Sequence, residues 1–141
     1  MKPMITVGEP LDPLTKTPSE VALLAFSAAT WNMHRIHFDR DYARSEGHRD
    51  VVVHGSLQAN WLVERALSLW PGAMLTSFTF RNVATAYVGE EFRVIGTPQE
   101  VEQDGEHVRV VVSLTVEGPS GPTTVGTVGL QLPGSTEGEA S

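Results

Sequence analysis

The chain has 141 residues, 40% of them hydrophobic, which suits one soluble domain large enough to bury a sizeable core. Seventeen acidic residues against ten basic ones leave a net charge of −7, which argues against nucleic acid or an anionic membrane as a partner, since both need a basic face. There is no cysteine, so disulfides and thiolate metal sites are excluded; the first ten residues lack a signal-peptide core, and the expected location is the cytoplasm.

Residues 1–13 carry three prolines and little periodicity and read as an extended lead-in along the edge of the domain. A short strand is expected near Leu14 to Thr17. Thr17-Pro18-Ser19-Glu20 has the form of a capping box, with Thr17 as the cap and Pro18 at the first helical position. The helix that follows has Val21, Leu24, Ala25, Ala28 and Ala29 at helical spacing, and this stripe is its expected core face. It leads into Asn32-Met33-His34-Arg35-Ile36-His37-Phe38-Asp39, after which Asp39 to Glu46 reads as a second short helix capped by Asp39. His48 reads as a surface residue of the loop before Val51-Val52-Val53, a run that ends at His54-Gly55.

Ser56 to Trp70 has the broad apolar face of a buried helix, stopped by Pro71-Gly72. The period then changes, and Met74 to Asn82, Glu90 to Glu102, Glu106 to Glu117 and Thr123 to Leu132 read as strands. Val108, Val110, Val112, Leu114 and Val116 alternate without a break, so one face of that strand lies on the core. Asp104-Gly105 is a two-residue hairpin signal, and Gly118 to Pro122 predicts a longer turn. The pattern gives an α+β fold with one central helix on an antiparallel sheet. The domain is expected over residues 1–132, with 133–141 as a flexible acidic tail.

The run Asn32-x-His34-Arg35-Ile36-His37-Phe38-Asp39-Arg40-Asp41-Tyr42-Ala43, followed by Val52-Val53-His54-Gly55, resembles the hydratase motif of the MaoC-like acyl-thioester dehydratases. The nearest branch is that of hydroxyacyl-thioester dehydratase type 2 and mesaconyl-CoA hydratase. The likeness extends from about Thr15 to about Leu132 and implies a single hot-dog domain, in which the sheet wraps the Ser56 to Trp70 helix. It further implies interconversion of 2-enoyl and 3-hydroxyacyl thioesters, with acyl-CoA as the expected substrate, and pairing with a second hot dog as a homodimer or heteromer. By the same resemblance His37 corresponds to the catalytic histidine and Gly55 to the oxyanion donor.

The residues support that chemistry independently. A histidine titrates near working pH and suits acid/base work, and a glycine amide opening a helix is an orphan donor at its positive end. Asn32 stands where the family commonly has an acid, so an amide that orients water or substrate replaces a proton acceptor. His34, Asp39 and His54 are supporting candidates: His34 for sharing the proton work, Asp39 for capping or orienting His37, His54 for packing that positions Gly55. Arg35, Arg40 and Ser56 are candidates for substrate binding.

No cofactor is expected, because Gly134 to Gly138, the only phosphate-loop-like stretch, falls in the tail. No metal is expected either: His34, His37 and Asp39 are close in sequence, but a further ligand at a recognisable spacing is missing. Two alternatives share the fold. One is a non-catalytic partner subunit of a heteromeric enoyl-CoA hydratase, motivated by Asn32; the other is a thioesterase, for which Glu64 is the one carboxylate on the central helix.

Overall fold

The computed structural model describes residues 5–133. Its elements in chain order are β1 (Leu14–Lys16), α1 (Glu20–Thr30), a single 3₁₀ turn (Arg35–His37), α2 (Arg40–Ser45), α3 (Gly55–Leu69), β2 (Met74–Asn82), β3 (Phe92–Asp104), β4 (His107–Gly118) and β5 (Gly121–Leu132). The strands form one five-stranded sheet in the order β1-β3-β4-β5-β2, with every pairing antiparallel. The expected tail beyond residue 133, with its glycine-bearing stretch, lies outside the described residues.

Alternation in β4 works as its sequence requires. Val108, Val110, Val112, Leu114 and Val116 are all buried and join Trp61, Leu62 and Ala66 of α3 in one core. Gly126 of β5 lets the helix come close: a Cβ there would lie 2.9 Å from Leu62 Cδ1 and 2.7 Å from the Thr79 carbonyl. Leu62 is fully buried at this contact, so cutting it to alanine is a change of about 2–5 kcal/mol. The result is a sheet curled around one central helix, the hot-dog arrangement.

The lead-in does pair with the edge of the domain, since Gly8 and Leu11 donate backbone bonds to Pro98 and Gly96 of β3. Three local expectations shift. The cap of α1 is Ser19, whose hydroxyl accepts from the Ala22 amide, and not Thr17; the Pro18 carbonyl is held outside the helix by the Gly89 amide. The first hairpin turns on Gly105-Glu106, with Asp104 already paired to His107 and Gly105 at φ 60°. The second is tighter than expected, because Gly118 and Gly121 already pair around Pro119-Ser120.

The stripe assigned to the inner face of α1 is exposed. Val21 and Leu24 are 77% and 49% accessible, while Leu23 and Ser27 are the buried positions. The helix packs through a narrow seam that carries a serine, and a small polar residue is not counted by an apolar pattern. β2, the edge strand, likewise exposes Met74, Leu75 and Phe80.

Candidate functional site

Trp31, in the left-handed region at φ 58°, ends α1 and turns the chain back. The returning segment is tied to the Val51-Val52-Val53 run by two bonds. The Val52 amide donates to the Ile36 carbonyl at 2.9 Å, and His37 Nδ1 lies 2.8 Å from the Val52 carbonyl. Val52 also bridges to Tyr87, and Val53 donates to Ala86, so the run is clamped between the 3₁₀ turn and the segment before β3.

These bonds fix the chemistry of His37. A carbonyl can only accept, so Nδ1 carries the proton and Nε2 is the free base of the neutral ring. Burial lowers the pKa of His37, with the Val52 carbonyl opposing and His34 and His48 adding smaller decreases. His37 is thus a neutral base at physiological pH, 7% exposed, in the wall of a cleft of about 440 Å³. The cleft is also lined by Gly55, Gln58, Asn82, Thr85 and His48.

Gly55 opens α3 at the same cleft. No side chain caps this helix, so its first-turn amides are left for a ligand at the positive end of the dipole. A Cβ on Gly55 would fall on the Asn82 carboxamide, 2.7 Å from Cγ and 2.9 Å from Nδ2, so the position requires glycine while Asn82 stays. A base and an uncapped helix terminus therefore face one cavity, as acid/base work on a polarised carbonyl demands.

The supporting residues divide. His54 is 1% exposed, stacks on His37, meets Phe26 edge-on at 4.8 Å, and is hydrogen-bonded through Nε2 to Ser27 Oγ at 2.7 Å. Its Nδ1 is buried without a partner, and burial pushes its pKa down to about 4. Asp39 caps α2 through the Tyr42 amide and pairs with Arg35, which holds its carboxyl below the usual range. It does not line the cleft. His34 is exposed, accepts from the Ile36 amide, and has its ring 6.1 Å from that of His37.

Asn32 is half-buried behind the 3₁₀ turn, where its Oδ1 accepts from the His34 amide at 3.4 Å; it is not part of the cleft wall. Arg35 lies over the Tyr42 ring, and Arg40 is engaged by Asp50 and Glu20, so both are committed to contacts within the chain. Ser56 is exposed and outside the cleft wall. His48, read as a surface residue, is half-buried and lines the cleft. Among the described residues no group of three or more His, Cys, Asp or Glu side chains is placed to hold a metal ion.

The sequence reading missed Gln58 and Asn82 in the cleft wall and Thr123 and Thr124 behind them. Gln58 Oε1 accepts from both threonine hydroxyls, at 2.6 and 2.9 Å. These residues come from α3, β2 and β5, and only the pairing of β2 with the distant strand β5 brings them together. An uncharged amide in an otherwise apolar helix face was the one available signal.

Residues 8–88 match the family model of hydroxyacyl-thioester dehydratase type 2. The chain belongs to this family. Mesaconyl-C(4)-CoA hydratase of Chloroflexus aurantiacus is 37% identical over 113 residues, which cover 75% of this chain and 40% of that protein. The mitochondrial hydroxyacyl-thioester dehydratase type 2 of Schizosaccharomyces pombe is 30% identical over 81 residues, 55% of this chain and 27% of that one. The chain thus spans less than half the length of these two relatives. Among solved structures, the (R)-hydratase from A. caviae involved in PHA biosynthesis superposes with a TM-score of 0.83 at 18% identity, covering 92% of this chain and 98% of that chain. The ChsH1-ChsH2 complex from Mycobacterium tuberculosis gives 0.79 at 24% identity, covering 92% and 99%. Both likenesses establish the hot-dog fold for this member of the type 2 family.

Proposed function

We propose that this chain is a hydro-lyase that interconverts 2-enoyl and 3-hydroxyacyl thioesters, with acyl-CoA as substrate. The observation that carries this reading is the shared cleft of His37, whose free nitrogen is Nε2, and Gly55, at an uncapped helix terminus. In hydration, Nε2 takes a proton from water as the O–C3 bond forms. The C2=C3 electron pair moves toward the thioester carbonyl, and the charge on its oxygen is held by the Gly55 amide. The His37 imidazolium then returns a proton to C2, so that one water is added and the base restored. One oxyanion donor supplies about 3–4 kcal/mol, and a positioned acid/base group about 10²–10⁴ in rate.

Asn32 contributes by shaping the 3₁₀ turn through its bond to the His34 amide. Family membership and the named hydratase and dehydratase activities of the relatives support the reaction class. Thioester hydrolysis is the weaker reading: Glu64 is ion-paired to Lys16 at 2.8 Å and does not line the cleft. The partner-subunit reading keeps one supporting observation, that α1 and edge strand β2 expose apolar side chains suited to a second hot dog, identical or different.

Purified protein mixed with crotonyl-CoA tests the reading. Loss of the enoyl-thioester absorbance without release of free thiol is expected. Thiol release would select hydrolysis, and no change with folded protein would select the partner-subunit reading.

A further inference from the structure

Gln58 is buried in the wall that also carries His37 and Gly55, and its amide orientation is dictated from both ends. Asn82 Nδ2 donates to Thr124 Oγ1 at 2.8 Å and to the Gly55 carbonyl at 3.4 Å. Thr124 Oγ1, already an acceptor, passes its own proton on to Gln58 at 2.9 Å, and Thr123 Oγ1 reaches the same atom at 2.6 Å. That atom is therefore the amide oxygen. The opposite end lies 3.5 Å from the His54 carbonyl, a pure acceptor, so it is the amide nitrogen.

Two good bonds saturate Oε1, whereas Nε2 carries two protons and has one long contact. Its second proton is left for a partner in the cleft that Gln58 lines. Gln58 is one helical turn beyond Gly55 on the same face of α3 and lines the same cleft, so it is a neighbour of a thioester whose oxygen sits at the Gly55 amide. We propose that Gln58 Nε2 is a substrate-binding donor for the oxygen at C3: the attacking water in hydration, the departing hydroxyl in dehydration. This rests on the hydratase reading. A neutral amide suits the task because it holds water or a hydroxyl without taking the proton that His37 must move.

The test compares binding of butyryl-CoA, which lacks the C3 oxygen, with that of 3-hydroxybutyryl-CoA, by calorimetry in a His37→Ala background that stops turnover. The parent is expected to bind the hydroxyacyl thioester about fivefold to tenfold more tightly, the value of one hydrogen bond. Adding Gln58→Met, which conserves volume and removes the donor, is expected to bring the two within about twofold while butyryl-CoA affinity holds. Gln58→Leu, which also removes the donor, is the second variant and is expected to lose the same preference. A preference that survives both substitutions, a parent without preference, or an equal loss for both thioesters in folded variants would overturn the assignment. Turnover of crotonyl-CoA by the unsubstituted protein is read separately: its absence would overturn the hydratase reading, while the binding pair still decides Gln58.

Discussion

The imidazoles of His37 and His54 are stacked, 3.8 Å apart between centroids and 17° from parallel. Two protonated rings in that arrangement would repel across a short, poorly solvated gap, so the native site holds both neutral. His37 takes part in the cleft; His54, anchored to Ser27 behind it, sets the plane in which His37 lies.

In the proposed reaction His37 acts as a base in its neutral form, and burial lowers its pKa below 6.5. The kcat/KM for hydration is expected to rise with pH through an apparent pKa below 6.5 and to be flat from there to about pH 8. A pH series with crotonyl-CoA measures it, and an acid limb centred above 6.5 would contradict it.

Stability should follow the same two histidines. Their folded pKa values are depressed, His54 to about 4, so between that value and 6.5 the unfolded chain binds more protons than the folded one. Their contribution is complete above pH 6.5 and falls as pH drops toward 4, by about 1.4 kcal/mol per unit for each group at most. Urea unfolding at pH 7.5, 6 and 5 measures the slope. His54→Gln is expected to make it shallower.

Ser27→Ala removes the partner of a buried ring that already has one unpaired nitrogen. The expected loss is about 1–3 kcal/mol in urea unfolding at pH 7.5. A loss below about 0.5 kcal/mol would mean that the Ser27–His54 bond adds little.

Gly55→Ala places a methyl group on the Asn82 carboxamide. It is expected to cost about 1–3 kcal/mol of stability and to lower kcat by tenfold or more, because Asn82 and the start of α3 must both move. In an Asn82→Ala background the added cost in stability should shrink by more than half. Additive effects in this double-mutant cycle would show that the two residues do not press on each other.

The family was legible because the residues that carry the resemblance are local in sequence. His37, His54 and Gly55 sit in two short runs, and the glycine where the Val51–Val53 run meets α3 declares an uncapped amide. The strands and the core face of β4 followed from its period-two run and from the hairpin glycines, with a two-residue shift of the cap to Ser19 and a one-residue shift of the turn at Gly105. The rear wall of the cleft was not legible. Asn82, Thr123 and Thr124 meet Gln58 only through the register of β2 with β5, and no local period encodes that meeting. Arg35 and Arg40 illustrate the reverse error, since basic residues beside a motif look free for a ligand until Asp39, Asp50 and Glu20 are found beside them. His48 had no pattern to distinguish it from a solvated loop residue.

The central claim is that water is added across a thioester-conjugated double bond by His37. Crotonyl-CoA turned over in ¹⁸O-water, followed by mass spectrometry of the intact thioester, tests it most directly. One ¹⁸O is expected in the acyl group of an unbroken CoA ester, at the 3-position, and its loss in folded His37→Ala. Label appearing in a free carboxylate, or undiminished labelling in His37→Ala, would contradict it.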